Sequence, residues 1–99
     1  MRKITREAVD KFLNKEPFRK SNMEVDEQYG IFRLKLHGNT IATLDTFNML
    51  SISNAGWSSN TTKERLNGLP HVHIKQKNWS WFLNGKEWGG EWTRVGIVY

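Results

Sequence analysis

The sequence predicts an α+β fold: a small antiparallel sheet of five to six strands, an N-terminal helix and a short second helix, in the order α-β-β-β-α-β-β with a further strand allowed at the end. Three observations carry that expectation. Apolar residues recur at helical spacing up to Leu13 and switch at Ile31 to a period of two. A capping pattern at Thr61 to Glu64 opens a second helical segment. Asn84-Gly85 is a strong hairpin pair, because both residues tolerate positive φ.

In the first helix Thr5 is the expected N-cap, with Glu7 in the first turn where negative charge meets the positive helix end. Ala8, Val9, Phe12 and Leu13 share one face, and Ile4 with Val9 fits a hydrophobic staple. Pro17 is expected to end the helix by biasing Glu16 away from helical angles. Residues 18–29 mix charges with few apolar residues and read as a loop or weak edge.

From Ile31, Phe32, Leu34 and Leu36 alternate with Arg33, Lys35 and His37, the pattern of a half-buried strand. His37-Gly38-Asn39 is a turn, Thr40 to Leu44 a second strand, and Leu50 with Ile52 the inward side of a third. Strands this close in sequence form an antiparallel meander. A polar loop holding Trp57 leads into Thr61-Thr62-Lys63-Glu64, with Gly68 in a left-handed position after the helix and Pro70 forbidding continuation. Val72 and Ile74 then alternate with His71, His73 and Lys75; Trp79, Trp81 and Leu83 share a face. The same sheet is expected to include 31–44 and 71–83. Lys86 to Trp88 is the returning strand, and Trp92 to Tyr99 adds a last strand or drapes over the sheet.

Ninety-nine residues fit one domain, 1–99. Its thin core is offset by five Trp and five Phe, each able to bury roughly 150–250 Å². With no cysteine there is neither a disulfide framework nor a thiolate zinc site, which favours the cytoplasm. Arg6, Glu7, Asp10 and Lys11 interrupt any apolar leader, and no run approaches the ~20 apolar residues of a membrane span. Fifteen Lys+Arg against ten Asp+Glu give a formal charge of +5, which suits anionic partners and disfavours a DNA-mimicking inhibitor.

The run from Ser53-Asn54-Ala55-Gly56-Trp57 through Thr61-Thr62-Lys63-Glu64-Arg65-Leu66-Asn67 resembles a small bacteriophage-encoded domain family of unknown function. In that family a Gly-aromatic loop leads into a Thr-Thr-x-x-Arg-Leu-Asn helix. The Leu36-His37-Gly38-Asn39 turn and the Phe82-Leu83-Asn84-Gly85 hairpin ahead of Trp88 and Trp92 extend the likeness across residues 5–94. The resemblance implies a phage or prophage origin, hence the host bacterial cytoplasm, and carries no activity and no functional residue.

The basic side chains form the most coherent chemical pattern. Arg33, Lys35 and His37 lie on the polar face of one strand, and His71, His73, Lys75 and Lys77 on that of another. If the two strands are neighbours they make a basic stripe. Lys63 and Arg65 follow on the short helix, where Asn60, Thr61 and free N–H groups suit a phosphate. Trp57, Trp88 and Trp92 are expected to be partly exposed, fit for base stacking or a protein interface, and Trp79 and Trp81 to be core. His71 and His73 with His37 have zinc-like spacing, but no Asp or Glu completes the set and Lys75 and Lys77 repel a cation, so neither metal nor cofactor is expected. Glu87 and Glu91 straddle a glycine pair too loosely for a carboxylate dyad, and no nucleophile elbow or phosphate-cradling loop is present. The expected function is therefore a non-enzymatic accessory protein holding DNA or RNA on a basic sheet face through Arg33, Lys35, His37, Lys63, Arg65, His73, Lys75, Lys77 and Trp57. The alternatives are a module that inhibits or redirects a host factor, such as a polymerase or a defence nuclease, and a small nuclease-like enzyme.

Overall fold

In the computed structural model, residues 1–98 are described, and helix α1 spans Lys3–Leu13. Its buried face is Thr5, Ala8, Val9 and Phe12. The helix begins before Thr5, so the expected cap and the Ile4–Val9 staple do not form; the N-cap is Arg2, whose side chain makes no capping bond. A partner distant in sequence does the capping: the Arg2 N–H donates to Glu64 Oε2 at 3.2 Å, and Thr5 turns its hydroxyl inward. Nor does Pro17 end the helix. Lys15 at φ 58° lets its N–H reach Phe12 O and the Glu16 N–H reach Lys11 O, a Schellman-type exit already complete before the proline.

Six strands form one antiparallel sheet: β1 (Phe18–Lys20), β2 (Met23–Gln28), β3 (Ile31–Leu36), β4 (Asn39–Leu44), β5 (Met49–Ile52) and, at the far edge beside β5, β9 (Thr93–Ile97). The segment read as a loop or weak edge is thus a hairpin. Met23 and Val25 are buried opposite Leu36 and Leu34, while Glu24 and Asp26 point to the other face. His37-Gly38 turns β3 into β4 with both residues at positive φ, the turn type that follows strand twist. Leu34, Leu36, Ala42, Leu44, Leu50 and Ile52 complete the inner face, with α1 packed over β1 to β3 and α2 against β4. The final strand is real as far as Ile97; Tyr99 lies outside the described residues.

Helix α2 (Asn60–Leu66) is capped by Ser59, not Thr61: Ser59 Oγ accepts the Thr62 N–H at 3.1 Å. Glu64 is unavailable for a capping box because it serves α1. Gly68 is not left-handed either. It is needed for close approach, since a Cβ there would sit 2.8 Å from Thr5 Cγ2 of α1.

The segment expected to join the main sheet forms a second one, β6 (Ile74–Lys77), β7 (Ser80–Leu83) and β8 (Lys86–Glu87). Strand β9 occupies the β5 edge, so residues 74–87 pair among themselves. His71 at φ 63° and the Asn84 side chain, which binds the His73 N–H and the His71 carbonyl, keep 71–73 out of any strand. The hairpin at Asn84-Gly85 forms as read, with φ of 51° and 89°. Asn78-Trp79 makes a second left-handed turn, which throws Trp79 outward at 93% exposure instead of into the core. Trp88, expected to be partly exposed, is buried: it stacks on Trp81 with centroids 6.3 Å apart, and its indole N–H is held by Glu91 O and Thr93 Oγ1. The order α-β-β-β-β-β-α-β-β-β-β is α+β, and no described helix is long and apolar enough to cross a membrane.

Candidate functional site

The loop between β5 and α2 is held by a dense set of its own hydrogen bonds and by bonds to Gly90. Ser53 Oγ donates to Gly90 O at 3.0 Å and accepts the Ala55 N–H at 3.0 Å. Asn54 donates its backbone N–H to the same carbonyl, accepts the Gly56 N–H on Oδ1 at 2.8 Å, and donates Nδ2 to Ser58 Oγ at 3.3 Å. Gly90, at φ 93°, lies flat against that amide; a Cβ would fall 2.1 Å from Asn54 Nδ2. Backbone and amide together fix a short segment whose one large side chain, Trp57, projects at 61% exposure.

Asn54 forms the wall between two depressions. On one side lies a hollow of about 350 Å³, floored by Leu36 and Ile41 and flanked by Trp57 and the His37–Asn39 turn. On the other a more polar groove of about 650 Å³ runs between the loop and the small sheet, along Gln76, Trp79, Ser80, Trp81 and Glu87. Lys63 Nζ reaches over from α2 to Gln76 Oε1 at 3.2 Å. Lys77 pairs in register with Ser80 and Lys75 with Phe82, so both lysines share the exposed outer face of β6, opposite the face on which Gln76 lines the groove.

The expected basic stripe does not form, because its two strands belong to different sheets. On β3, Arg33 is bound by both oxygens of Asp26 at 2.7 Å, and Lys35 reaches the same carboxylate at 3.0 Å. The Arg33 bond outweighs burial and, with Lys35, holds the Asp26 carboxyl below its usual range; the Arg33 guanidinium is raised in turn by Asp26. Arg65 is buried. It donates to Thr5 Oγ1 at 3.0 Å and Asn22 Oδ1 at 3.3 Å and pairs with Glu64, joining α2 to α1 and to the β1–β2 turn. Burial pushes the Glu64 carboxyl up, but bonds from Thr5, the Arg2 N–H and Arg65 outweigh it and leave it below its ordinary value. The N–H of Thr62, one of those read as open to phosphate, is taken by Ser59.

His37 stands at the rim of the hollow, His73 precedes β6, and the His71 ring lies on Gly96 with Nε2 3.0 Å from Ile97 O. Among the described residues no three His, Asp or Glu side chains converge as a metal site. Of the nine expected binding residues, Trp57 and His37 line the hollow, Lys63 reaches Gln76 in the groove, Lys75 and Lys77 lie on the outer face of β6, His73 lies at the entry to β6, and Arg33, Lys35 and Arg65 are held in ion pairs. Trp79 and Asn54 were missed. A strand period places Trp79 in line with Trp81, and only the left-handed turn at Asn78 breaks that line.

The model of one protein family, described as Kyanoviridae Gp96 protein, matches residues 1–97. No curated protein and no solved structure gives a match.

Proposed function

The chain belongs to the Kyanoviridae Gp96 protein family, a family of phage proteins, and from that premise we propose that it is a non-enzymatic accessory protein that binds single-stranded nucleic acid along the groove between the 53–59 loop and the small sheet. One observation carries the reading: two exposed tryptophans, Trp57 and Trp79, stand on either side of the loop and its polar groove, Lys63 reaches Gln76 in that groove, and Lys75 and Lys77 lie on the outer face of the same strand. Aromatic faces stack on unpaired bases whatever their sequence, and lysines follow the phosphates. A binding role fits the linings better than catalysis, since Glu87 and His37 are their only titratable side chains and lie in different depressions.

The test is fluorescence anisotropy with a labelled 20-mer, single-stranded and duplex, over a salt series. Single strands are expected to bind more tightly. Three lysine contacts give a log–log salt slope of roughly −2 at about 0.7 per phosphate. Trp79→Ala is expected to weaken binding roughly 5- to 100-fold, the range of one lost stacking contact. No binding at low salt, or binding that ignores both salt and Lys75→Glu/Lys77→Glu, sinks the reading.

A second reading, a module for a protein such as a host factor, is favoured by the opposite end of the main sheet. Tyr29 (91% exposed), Phe47 (81%), Ile31 and Ile97 are all exposed there, beside the β2–β3 and β4–β5 turns. Clustered exposed apolar groups suit a protein contact.

A further inference from the structure

We infer that the hollow beside Trp57 is a pocket for one unstacked nucleobase, so that the strand held in the groove inserts a base past the Asn54 wall. The inference rests on the groove reading for its partner class, while its geometry is independent. Leu36 and Ile41 are 5% and 1% exposed and form an apolar floor. The Trp57 indole is a flat wall on a loop that internal hydrogen bonds already fix, so little ordering is lost on binding.

The polar groups sit at the rim, where the edge of a base would lie. The Asn39 Nδ2 bond to His37 O is 3.5 Å long, at the limit of a hydrogen bond, which leaves a donor and an acceptor side by side for a base edge. Thr61 lines the hollow without a hydrogen bond among the described residues, whereas Ser59 and Thr62 satisfy each other at 2.9 Å. No carboxylate lines the hollow, so nothing there repels the phosphate that arrives with a base. Its volume of about 350 Å³ lies near the bottom of the roughly 300–1,000 Å³ typical of ligand pockets, room for one heterocycle and not for a stack.

The probes are deoxyadenosine and deoxycytidine monophosphates, titrated into the full chain and followed by 1H–15N NMR. Ribose 5-phosphate serves as a baseless control and N-acetyltyrosinamide as a mimic of a protein aromatic. The Trp57 indole N–H and the amides of 37–41 and 54–62 are expected to shift with the nucleotides and not with ribose 5-phosphate. Asn39→Ala and Trp57→Ala, each checked for retained amide dispersion, are expected to weaken that binding at least fivefold. Nucleotides that leave these residues unmoved, or move only the Trp79 side, overturn the pocket even where oligonucleotides bind the groove with the expected salt slope. A tyrosinamide response equal to or greater than that of the nucleotides overturns it in favour of a protein side chain. Nucleotides filling the hollow while oligonucleotides show no lysine or salt dependence support the pocket and remove the groove.

Discussion

Replacing Arg65 by Met removes the guanidinium that ties three elements together. Arg65 is 3% exposed and holds Thr5 of α1, Asn22 of the β1–β2 turn and its neighbour Glu64. Breaking a buried ion pair by deleting one partner costs about 3–5 kcal/mol, because the remaining charge stays desolvated. Glu64 keeps 29% side-chain exposure and its bonds from Thr5 and the Arg2 N–H, so water and these donors recover part of that. We expect a loss of about 2–4 kcal/mol. At roughly 4–8 °C per kcal/mol for a domain of this size, the melting temperature falls by some ~10–30 °C. Urea denaturation measures the loss directly. Adding Glu64→Gln to Arg65→Met removes the orphaned charge and is expected to restore about 1–2 kcal/mol. Below its melting temperature the single variant is expected to bind oligonucleotide within twofold of the parent. A stability loss under ~1 kcal/mol, or a double variant worse than the sum of the singles, refutes the interior role; a selective loss of oligonucleotide binding returns Arg65 to the phosphate-contact role.

Two further outcomes follow from the geometry. Gly90→Ala forces both a left-handed alanine and a Cβ 2.1 Å from the Asn54 amide, so it should cost about 2 kcal/mol or more in urea denaturation and quench the ordered environment of Trp57. Asp26 carries a depressed pKa from Arg33 and Lys35, so its contribution is full above the ordinary carboxylate range near pH 4 and is lost as pH falls through the lower, folded value; Asp26→Asn should flatten the stability–pH curve in that acid window and leave a smaller effect on the curve's shape above pH 5.

What was legible in the sequence was what short-range chemistry decides. His37-Gly38 and Asn84-Gly85 specify their turns with two residues each, and Leu34, Leu36, Leu50 and Ile52 carry their burial in their own alternation. What failed depends on partners far along the chain. Thr5 looks like a cap only until Glu64, 59 residues away, takes over the helix end. Arg33 and Lys35 look free until β2 places Asp26 across from them, and β2 was itself hidden by the charges that flank Met23 and Val25. The tryptophans divide the same way. Exposure of Trp57 follows from its polar loop, whereas burial of Trp88 depends on Trp81 and Thr93.

The stretch from Ser53 to Asn67 is largely spent on holding the fold. Ser53 and Asn54 bind Gly90, Thr62 closes the α2 cap with Ser59, and Arg65 bridges to α1. Leu66 is core, and the Asn67 amide pairs with both the N–H and the carbonyl of Ile74, standing in for a strand neighbour at the start of β6. Each of these side chains has an internal role, so their pattern in the sequence speaks of the scaffold before it speaks of a function. Trp57 differs. The surrounding bonds fix its backbone, yet its ring is 61% exposed and its indole N–H has no partner among the described residues. Burial would be the cheaper fate for a tryptophan, at about 25 cal/mol for each Å² of apolar surface left in water. A loop built with this much hydrogen bonding to hold one exposed indole over a hollow is a positioning device, and that places the centre of the proposed interface at Trp57 rather than on the lysines around it.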